Sequence, residues 1–314
     1  MARRTAQERR LISRAGIAWA VLGLVGIGWG ATGFLSKIAT ATGHGALMLT
    51  FWQTVIGVLC FTVAVALSKG RLPLGRRYLI FYAVCGFLGT ALPHSLGFLS
   101  IRHLPVGVQT MTLSTVPMLT LLIALPLGLE RWEARRALGI ALGLAAMLMI
   151  ALPQSSLPEP GQVFWLILPM LVAVSYAAEN TVIATSRPAD LSALQVMCGL
   201  SWAALAMLGP ALLVAGETVL PERLGREEAA LFATSLLHVA SYLGFVWLIG
   251  QAGAVFAAQV GYVVTASGVL WGMAVFGERH SLWVWGALAL VFTGLALVTP
   301  RQRAPVPSGG VGAG

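Results

Sequence analysis

Four polar residues inside long apolar stretches of the chain are the first candidates for chemistry. Glu179 is the only acidic residue in the interior of such a stretch, and Asn180 follows it directly. His94 and His238 are the groups there that ordinarily titrate near neutral pH. A charged side chain at the centre of a membrane costs about 2.5–3.5 kcal/mol, so each needs a function or a partner. We expect Glu179 to face a cavity and to carry a proton or hold a cationic group; reaching back to the membrane surface or pairing with a basic residue is the alternative.

Aromatic and amide side chains within the same stretches add a second kind of chemistry. The further candidates for lining a cavity are Trp29, Gln53, Gln109, Tyr176, Tyr242, Gln259, Tyr262 and Trp271. Aromatic rings bind planar, amphipathic or cationic solutes by stacking and cation–π contacts, and the amides add neutral hydrogen-bonding capacity. Ordinary helix packing is the alternative role for all of these residues and for both histidines. The pattern indicates a binding site for a small organic solute.

The composition predicts that membrane-spanning helices position these residues. Of the 314 residues, 58% are hydrophobic and 10% are charged, whereas soluble domains average about 25% charged residues. The apolar stretches are too long and too continuous for the strands of a membrane barrel. The sequence predicts ten spanning helices, at about 15–37, 46–66, 78–101, 106–129, 137–152, 163–186, 191–215, 228–250, 254–276 and 282–299. We therefore expect an all-α integral membrane protein.

Several functions are excluded by the same residues. The net charge of +9 comes from short basic clusters between apolar stretches, a pattern that sets membrane topology, so we expect no nucleic-acid partner. The three cysteines lie inside apolar stretches and predict neither a disulfide framework nor a metal site. No nucleophile elbow, zinc-protease motif or phosphate-binding loop is present. We expect no enzyme activity, no cofactor and no ATP drive within this chain.

Charges between the stretches predict the orientation. If the N-terminus is cytoplasmic, most Lys and Arg residues fall in cytoplasmic segments, in keeping with the positive-inside rule. The outer segments then contain only Lys37, Arg102, Arg223, Arg226 and Arg279. The first apolar stretch is longer than the apolar region of a signal peptide, which favours a retained helix. We expect a multi-pass protein of the plasma (inner) membrane with both termini in the cytoplasm.

The two halves of the sequence resemble each other at a lag of about 147 residues. Leu96-Gly97-Phe98 corresponds to Leu243-Gly244-Phe245, and Glu130-Arg131 corresponds to Glu278-Arg279. Each half contains five predicted spans, and an odd number of spans places the second copy upside down relative to the first. Inverted repeats of this kind build secondary transporters, whose solute site lies near the bilayer midplane. The sequence thus predicts ten transmembrane helices arranged as two inverted five-helix repeats.

These repeats divide the chain into five predicted segments. A basic cytoplasmic segment, 1–14, precedes the first repeat, 15–152. A periplasmic or extracellular linker, 153–162, leads to the second repeat, 163–299, and a disordered cytoplasmic tail, 300–314, follows. The fifth and tenth spans offer almost no polar group to a solute. We expect them to face lipid or a second copy of the chain in a homodimer.

The paired stretches 104–152 and 252–298 resemble EamA domains of the drug/metabolite transporter superfamily. Each has a Pro- or Gly-containing span, a Glu-Arg junction and a Gly-rich final helix. The resemblance implies an EamA-type transporter, with four helices of each half around a cavity, that moves small metabolites, amino-acid-like solutes or amphipathic and cationic solutes outward. The bilayer, the solute and protons as the coupling ion would be its partners. A non-transporting membrane scaffold or sensor is the alternative, followed by an intramembrane enzyme.

Overall fold

The computed structural model describes residues 2–41, 43–151, 162–217 and 225–298, and every regular element in those ranges is a helix. The α-helices of the first half are α1 (Ala2–Ala39), α2 (Ala46–Leu67), α3 (Arg76–Gly86), α4 (Leu92–Ile101), α5 (Val106–Leu113), α6 (Val116–Ala124) and α7 (Ala134–Ala151). The remainder are α8 (Ile167–Ser186), α9 (Ala193–Ala215), α10 (Arg226–Ala252), α11 (Ala254–Ala257), α12 (Val260–Phe276) and α13 (Leu282–Val298). Apart from Gln162, the predicted linker 153–162 lies outside the described residues, as does the predicted tail 300–314.

Helices occupy all of the predicted apolar stretches. Within the described ranges, seven helices are long and apolar enough to cross a membrane: Gly16–Ala39, Ala46–Leu67, Arg76–Ile101, Val106–Ala124, Val163–Ser186, Ala193–Ala215 and Arg226–Ala252. The apolar helices α12 and α13 are shorter. The chain is therefore an all-helical, multi-pass membrane protein. Helix α1 extends to Ala2 because the residues before Gly16 include no proline or glycine to stop it.

Three of the spans are irregular at defined points. A π-helical segment, Phe87–Ala91, joins α3 to α4 just before Pro93. Helices α5 and α6 meet at a turn that precedes Pro117, a residue without a backbone N–H to continue the helix. Helix α6 ends at Ala124, ahead of Pro126, so this span is shorter than the predicted 106–129. Helices α11 and α12 are separated by a second turn.

Glycines allow α1 to lie very close to α12. A side chain at Gly30 would come within 2.9 Å of the backbone nitrogen of Gly268. Ser267 donates a hydrogen bond from its hydroxyl to the carbonyl of Gly26 at 3.1 Å. Small residues at a four-residue spacing permit this approach and leave little room for substitution. Helix α1 is in this way fixed to the second half of the chain.

Helices α7 and α13 form a pair of their own. A Cβ atom at Gly139 would lie 2.8 Å from the carbonyl oxygen of Gly294, so the two backbones are nearly in contact. The pair packs against the rest of the protein mainly through α6, and Gly294 also contacts Met118 of that helix. The remaining helices pack more centrally: α1 contacts α10 and α12, α8 contacts α4 and α6, and α2 contacts α9. The central helices carry the residues described next.

Candidate functional site

Trp29, His94 and His238 form a cluster between α1, α4 and α10. The indole Nε1 of Trp29 donates a hydrogen bond to Nδ1 of His238 at 3.2 Å. The ring centroids of His94 and His238 lie 5.6 Å apart in an edge-to-face arrangement. Because Nδ1 of His238 accepts the indole proton, a neutral His238 has its own proton on Nε2. We call these three residues the histidine cluster.

One atom of the histidine cluster has no partner. The Nδ1 atom of His94 is buried and makes no hydrogen bond to any described residue. A buried nitrogen without a partner is unfavourable, and such atoms call for an explanation by function or by water. Trp29 and His238 lie near the middle of their spans, Gly16–Ala39 and Arg226–Ala252, so the cluster lies near the centre of the helix bundle.

Glu179 of α8 faces the π-helical segment between α3 and α4. A Cβ atom added at Gly89 would overlap the Glu179 carboxylate, so the carboxylate lies directly against this glycine. Among the described residues, no hydrogen-bond donor or cation contacts Glu179, and its side chain is only partly exposed. The described residues therefore show no pairing of Glu179 with a basic residue.

Two tyrosines accompany Glu179. Tyr176 precedes it by three residues on α8, which places both side chains on the same face of the helix. Tyr242 of α10 is close enough to interact electrostatically with Glu179, and its ring lies 5.8 Å from that of Phe61. Tyr242 also follows His238 by four residues, about one turn or 6 Å along α10. Helix α10 therefore connects the histidine cluster to the surroundings of Glu179.

Other candidates from the sequence make contacts between helices. Gln109 accepts a hydrogen bond from the Ser100 hydroxyl at 2.9 Å and thereby joins α4 to α5. Asn180 is exposed, with its amide nitrogen 3.5 Å from the Thr120 hydroxyl oxygen. The aromatic ring of Tyr262 lies 5.8 Å from that of Phe292. These contacts give the side chains packing roles in this structure.

The remaining candidates are Trp271, Gln53 and Gln259. Trp271 donates from its indole nitrogen to the carbonyl of Ile27 at 3.4 Å, which fixes it against α1. Gln53 and Gln259 are partly buried. Trp29 makes ring contacts with Phe245 as well as with His238. The structure thus brings six of the predicted residues into two neighbouring groups, the histidine cluster and Glu179 with its two tyrosines.

A basic pocket lies at the end of the bundle where α1 and α4 finish and α10 begins. Its volume is about 490 Å³, and its lining residues are Lys37, Ile38, Thr40, Ala41, Gly43, Arg102, Arg226, Glu227 and Phe276. The sequence analysis used its three basic residues only to orient the chain. The signal available was that Lys37, Arg102 and Arg226 each flank an apolar stretch on the same predicted side. We refer to this cavity as the basic pocket.

At this same end, carboxylates of the second half accept hydrogen bonds from helix starts of the first half. Glu278 accepts hydrogen bonds from the backbone nitrogens of Val106, at 2.7 Å, and Gly107, at 3.2 Å, which begin α5. Glu217 accepts from the backbone nitrogen of Met48 near the start of α2, at 2.9 Å. Free N–H groups at a helix start favour a carboxylate partner. Glu278 therefore caps a helix of the other half, whereas its sequence counterpart Glu130 pairs with Arg136 at 2.6 Å.

Two titratable groups outside the spans have shifted pKa values. Burial lowers the pKa of His280, and the nearby Glu278, 3.6 Å away, opposes this effect. A hydrogen bond from Tyr78 lowers the pKa of Asp190, with Arg77 at 3.2 Å adding to the effect. The Asp190 contacts connect α3 to the turn between α8 and α9, at the opposite end from the basic pocket. Nowhere in the described ranges do three or more metal-ligating side chains cluster.

Comparison with known proteins identifies a family for the first part of the chain. The model of the EamA-like transporter family matches residues 14–152. These residues form an EamA-type domain. The match confirms the resemblance to EamA-type transporters of the drug/metabolite superfamily, although the resemblance was drawn from stretches in both halves. EamA proteins are a transporter family and not an enzyme family, which agrees with the expectation that this chain is not an enzyme.

Solved structures extend the comparison beyond the EamA domain. One of 23 matching chains, titled only as a crystal structure of a protein, shares 18% sequence identity with this chain at a TM-score of 0.61. The superposition covers 90% of this chain and 96% of the other. At this identity the likeness shows a common fold, which includes the helices that follow the EamA domain. A comparison with curated proteins returns no match.

Proposed function

We propose that this protein is a secondary-active transporter that moves small organic solutes across the plasma (inner) membrane by alternating access. The observation that carries the proposal is the acidic side chain of Glu179. It lies within a span, has no partner among the described residues, and lies beside Gly89, Tyr176 and Tyr242. An ionisable group without a partner inside a membrane protein is a site for a proton or a cationic solute. The family match to a transporter domain supports the same assignment.

The packing of the helices supports two inverted five-helix repeats. In the proposed repeat, α1 corresponds to α8, α3–α4 to α10, and α5–α6 to α12. Each contact between two helices should then be repeated between their counterparts. Helix α1 contacts α10 and α12, and α8 contacts α4 and α6 as this exchange requires. In three further contacting pairs, α2 with α9, α5 with α12 and α7 with α13, the two helices are counterparts of each other, so each contact matches itself. Two arrangements related by such symmetry can open to opposite sides, which is the basis of alternating access.

In this proposal, the solute binds between the histidine cluster and Glu179. Trp29, Tyr176 and Tyr242 supply aromatic faces for an amphipathic, amino-acid-like or cationic solute. Glu179 binds a proton in one conformation and releases it in the other, which couples transport to the proton gradient. Both termini are cytoplasmic and transport is outward; the direction rests on the family. Helices α7 and α13 face lipid or a second copy of the chain.

The experiment combines ligand binding with flux. A thermal-shift screen of the purified protein over amino acids, nucleosides, polyamines and cationic drugs identifies solutes that bind the folded state and raise its melting temperature. Those solutes are then tested in proteoliposomes containing a pH-sensitive dye. We expect solute flux with proton movement for the unmodified protein, and loss of the proton movement in Glu179→Gln. The matched control is Glu130→Gln, which removes a carboxylate in an ion pair with Arg136.

The same experiment separates transport from a scaffold role. If no solute in the screen raises the melting temperature and vesicle uptake stays flat, the scaffold or sensor assignment replaces the transporter. If flux persists in Glu179→Gln with the same pH dependence, the role of Glu179 in coupling is contradicted even though transport stands.

A further inference from the structure

The basic pocket has the charge and size of a binding site for an anion. Among the described lining residues, three cationic side chains, Lys37, Arg102 and Arg226, share it with the carboxylate of Glu227. Its volume of about 490 Å³ lies within the range of small-molecule sites, about 300–1,000 Å³. The pocket lies at the far end of α10 from Tyr242. It is therefore separate from the surroundings of Glu179.

The decisive observation is the guanidinium group of Arg102. Its Nε and Nη2 atoms are buried, and neither has a hydrogen-bond partner in the described part of the chain. These two nitrogens form the edge of arginine that binds a carboxylate with two parallel hydrogen bonds. A charged donor that is buried and unsatisfied destabilises the protein. Both atoms lack accessible surface, so a carboxylate in the pocket would supply the missing partners once the Arg102 side chain turns toward it.

Lys37 is fixed beside the pocket by contacts of its own. Its ammonium group donates to the carbonyl of Leu104 at 2.9 Å and lies 3.7 Å from Glu278. It also lies 5.3 Å from the centroid of the Phe276 ring. A cation held in place adds attraction for an anion without the entropic cost of ordering a free side chain. Phe276 and Ile38 give the pocket an apolar wall.

We propose that the basic pocket binds a small organic acid through its carboxylate. Arg102 holds the carboxylate, Lys37 and Arg226 add positive charge, and the apolar body of the acid contacts Phe276. The proposal rests on the proposed transport function, because it makes the occupant a solute that enters or leaves the bundle at this end. It extends that function by giving the solute an anionic group.

The test uses benzoate as the probe, because benzoate combines a carboxylate with one aromatic ring. Its affinity for the purified full-length protein is measured by calorimetry and by saturation-transfer NMR. We expect benzoate to bind and benzyl alcohol, which has the ring without the charge, not to bind measurably. Arg102→Gln should weaken benzoate binding about 10-fold or more, since two charge-assisted hydrogen bonds are lost.

Two further variants test the pocket if Arg102→Gln does not fold. Arg102→Lys retains the charge but loses the paired donors, and we expect it to bind benzoate with intermediate affinity. Arg226→Gln changes an exposed residue and should weaken binding about 3-fold. The matched control is Arg279→Gln, an exposed arginine at the same end that does not line the pocket. It should bind benzoate with the affinity of the unmodified protein.

Three results would overturn the proposal. The first is equal binding of benzyl alcohol and benzoate, and the second is unchanged benzoate affinity in both Arg102→Gln and Arg226→Gln. The third is loss of benzoate binding when phosphatidylglycerol, but not phosphatidylcholine, is added to the micelles. The last result would assign the cations to a lipid headgroup. Binding is measured without flux, so the two proposals fail separately. Benzoate binding without any solute flux would contradict only the transport function.

Discussion

Replacing Glu179 with glutamine should stabilise the protein while removing its coupling to protons. Glu179 lies seven residues before the end of α8 at Ser186, or roughly 10 Å along the helix. At that depth a carboxylate without a partner carries part of the ~2.5–3.5 kcal/mol that a charge costs at the membrane centre. Glutamine has nearly the same shape and no charge. We expect a gain of about 1–2 kcal/mol in the free energy of unfolding, since part of that cost is removed.

The assay is thermal unfolding of the purified variants at neutral pH. The expected gain corresponds to a rise of roughly 2–6 °C in the melting temperature. Glu130→Gln is the matched control, because Glu130 pairs with Arg136 at 2.6 Å and its loss should leave stability unchanged or lower it. A gain of stability with loss of function is typical of residues kept for activity. A melting temperature for Glu179→Gln below that of the unmodified protein would refute the reasoning, because it would mean that the carboxylate stabilises the fold.

Three further predictions follow from close contacts. Gly89→Ala should reduce proton-coupled flux as strongly as Glu179→Gln, because the new methyl group would displace the Glu179 carboxylate; equal flux in vesicles would contradict the contact. Gly30→Val should lower the free energy of unfolding by about 1–3 kcal/mol, since its side chain would separate α1 from α12; an unchanged melting temperature would exclude this close packing. His280 is neutral in the fold with a lowered pKa, so stability should be complete above the ordinary value of 6.5 and decline as the pH falls below it. In His280→Gln the melting temperature should depend less on pH over that range. If the melting temperature of this variant falls with pH as in the unmodified protein, another group causes the loss of stability.

Much of the helical architecture could be predicted from the sequence. Long apolar stretches must satisfy their backbone groups internally, so their helical state follows from composition. Small residues also allow close helix contacts, as Gly30 with Gly268 and Gly139 with Gly294 show. The turn before Pro117 was harder to predict, because proline is tolerated in membrane helices when neighbours satisfy the freed groups.

The candidate site could be predicted only in part. Glu179, His94 and His238 were found because an ionisable residue in an apolar stretch is unusual. Their grouping depends on which face of each helix turns inward, and a stretch that is apolar all round does not reveal that face. For the same reason Gln109 and Tyr262 looked like lining residues, although Gln109 joins two helices and Tyr262 packs on Phe292.

The basic pocket could not be predicted because its residues come from four separate helix ends. Lys37, Arg102, Arg226 and Phe276 are far apart in the sequence and meet only after the helices pack. The charge pattern indicated a side of the membrane and nothing about distance. The helix cap formed by Glu278 is similar, because the helix that it caps belongs to the other half of the chain.

The inverted arrangement of the two halves is tested most directly by the sidedness of equivalent positions. Arg131 and Arg279 follow the corresponding glutamates of the two halves, and both are exposed. A single cysteine at each position, in a chain whose own cysteines are replaced, is labelled in intact cells with a membrane-impermeant thiol reagent. The account predicts that Arg279→Cys is labelled from outside and that Arg131→Cys is labelled only after the membrane is opened. Labelling of both positions from the same side would contradict it.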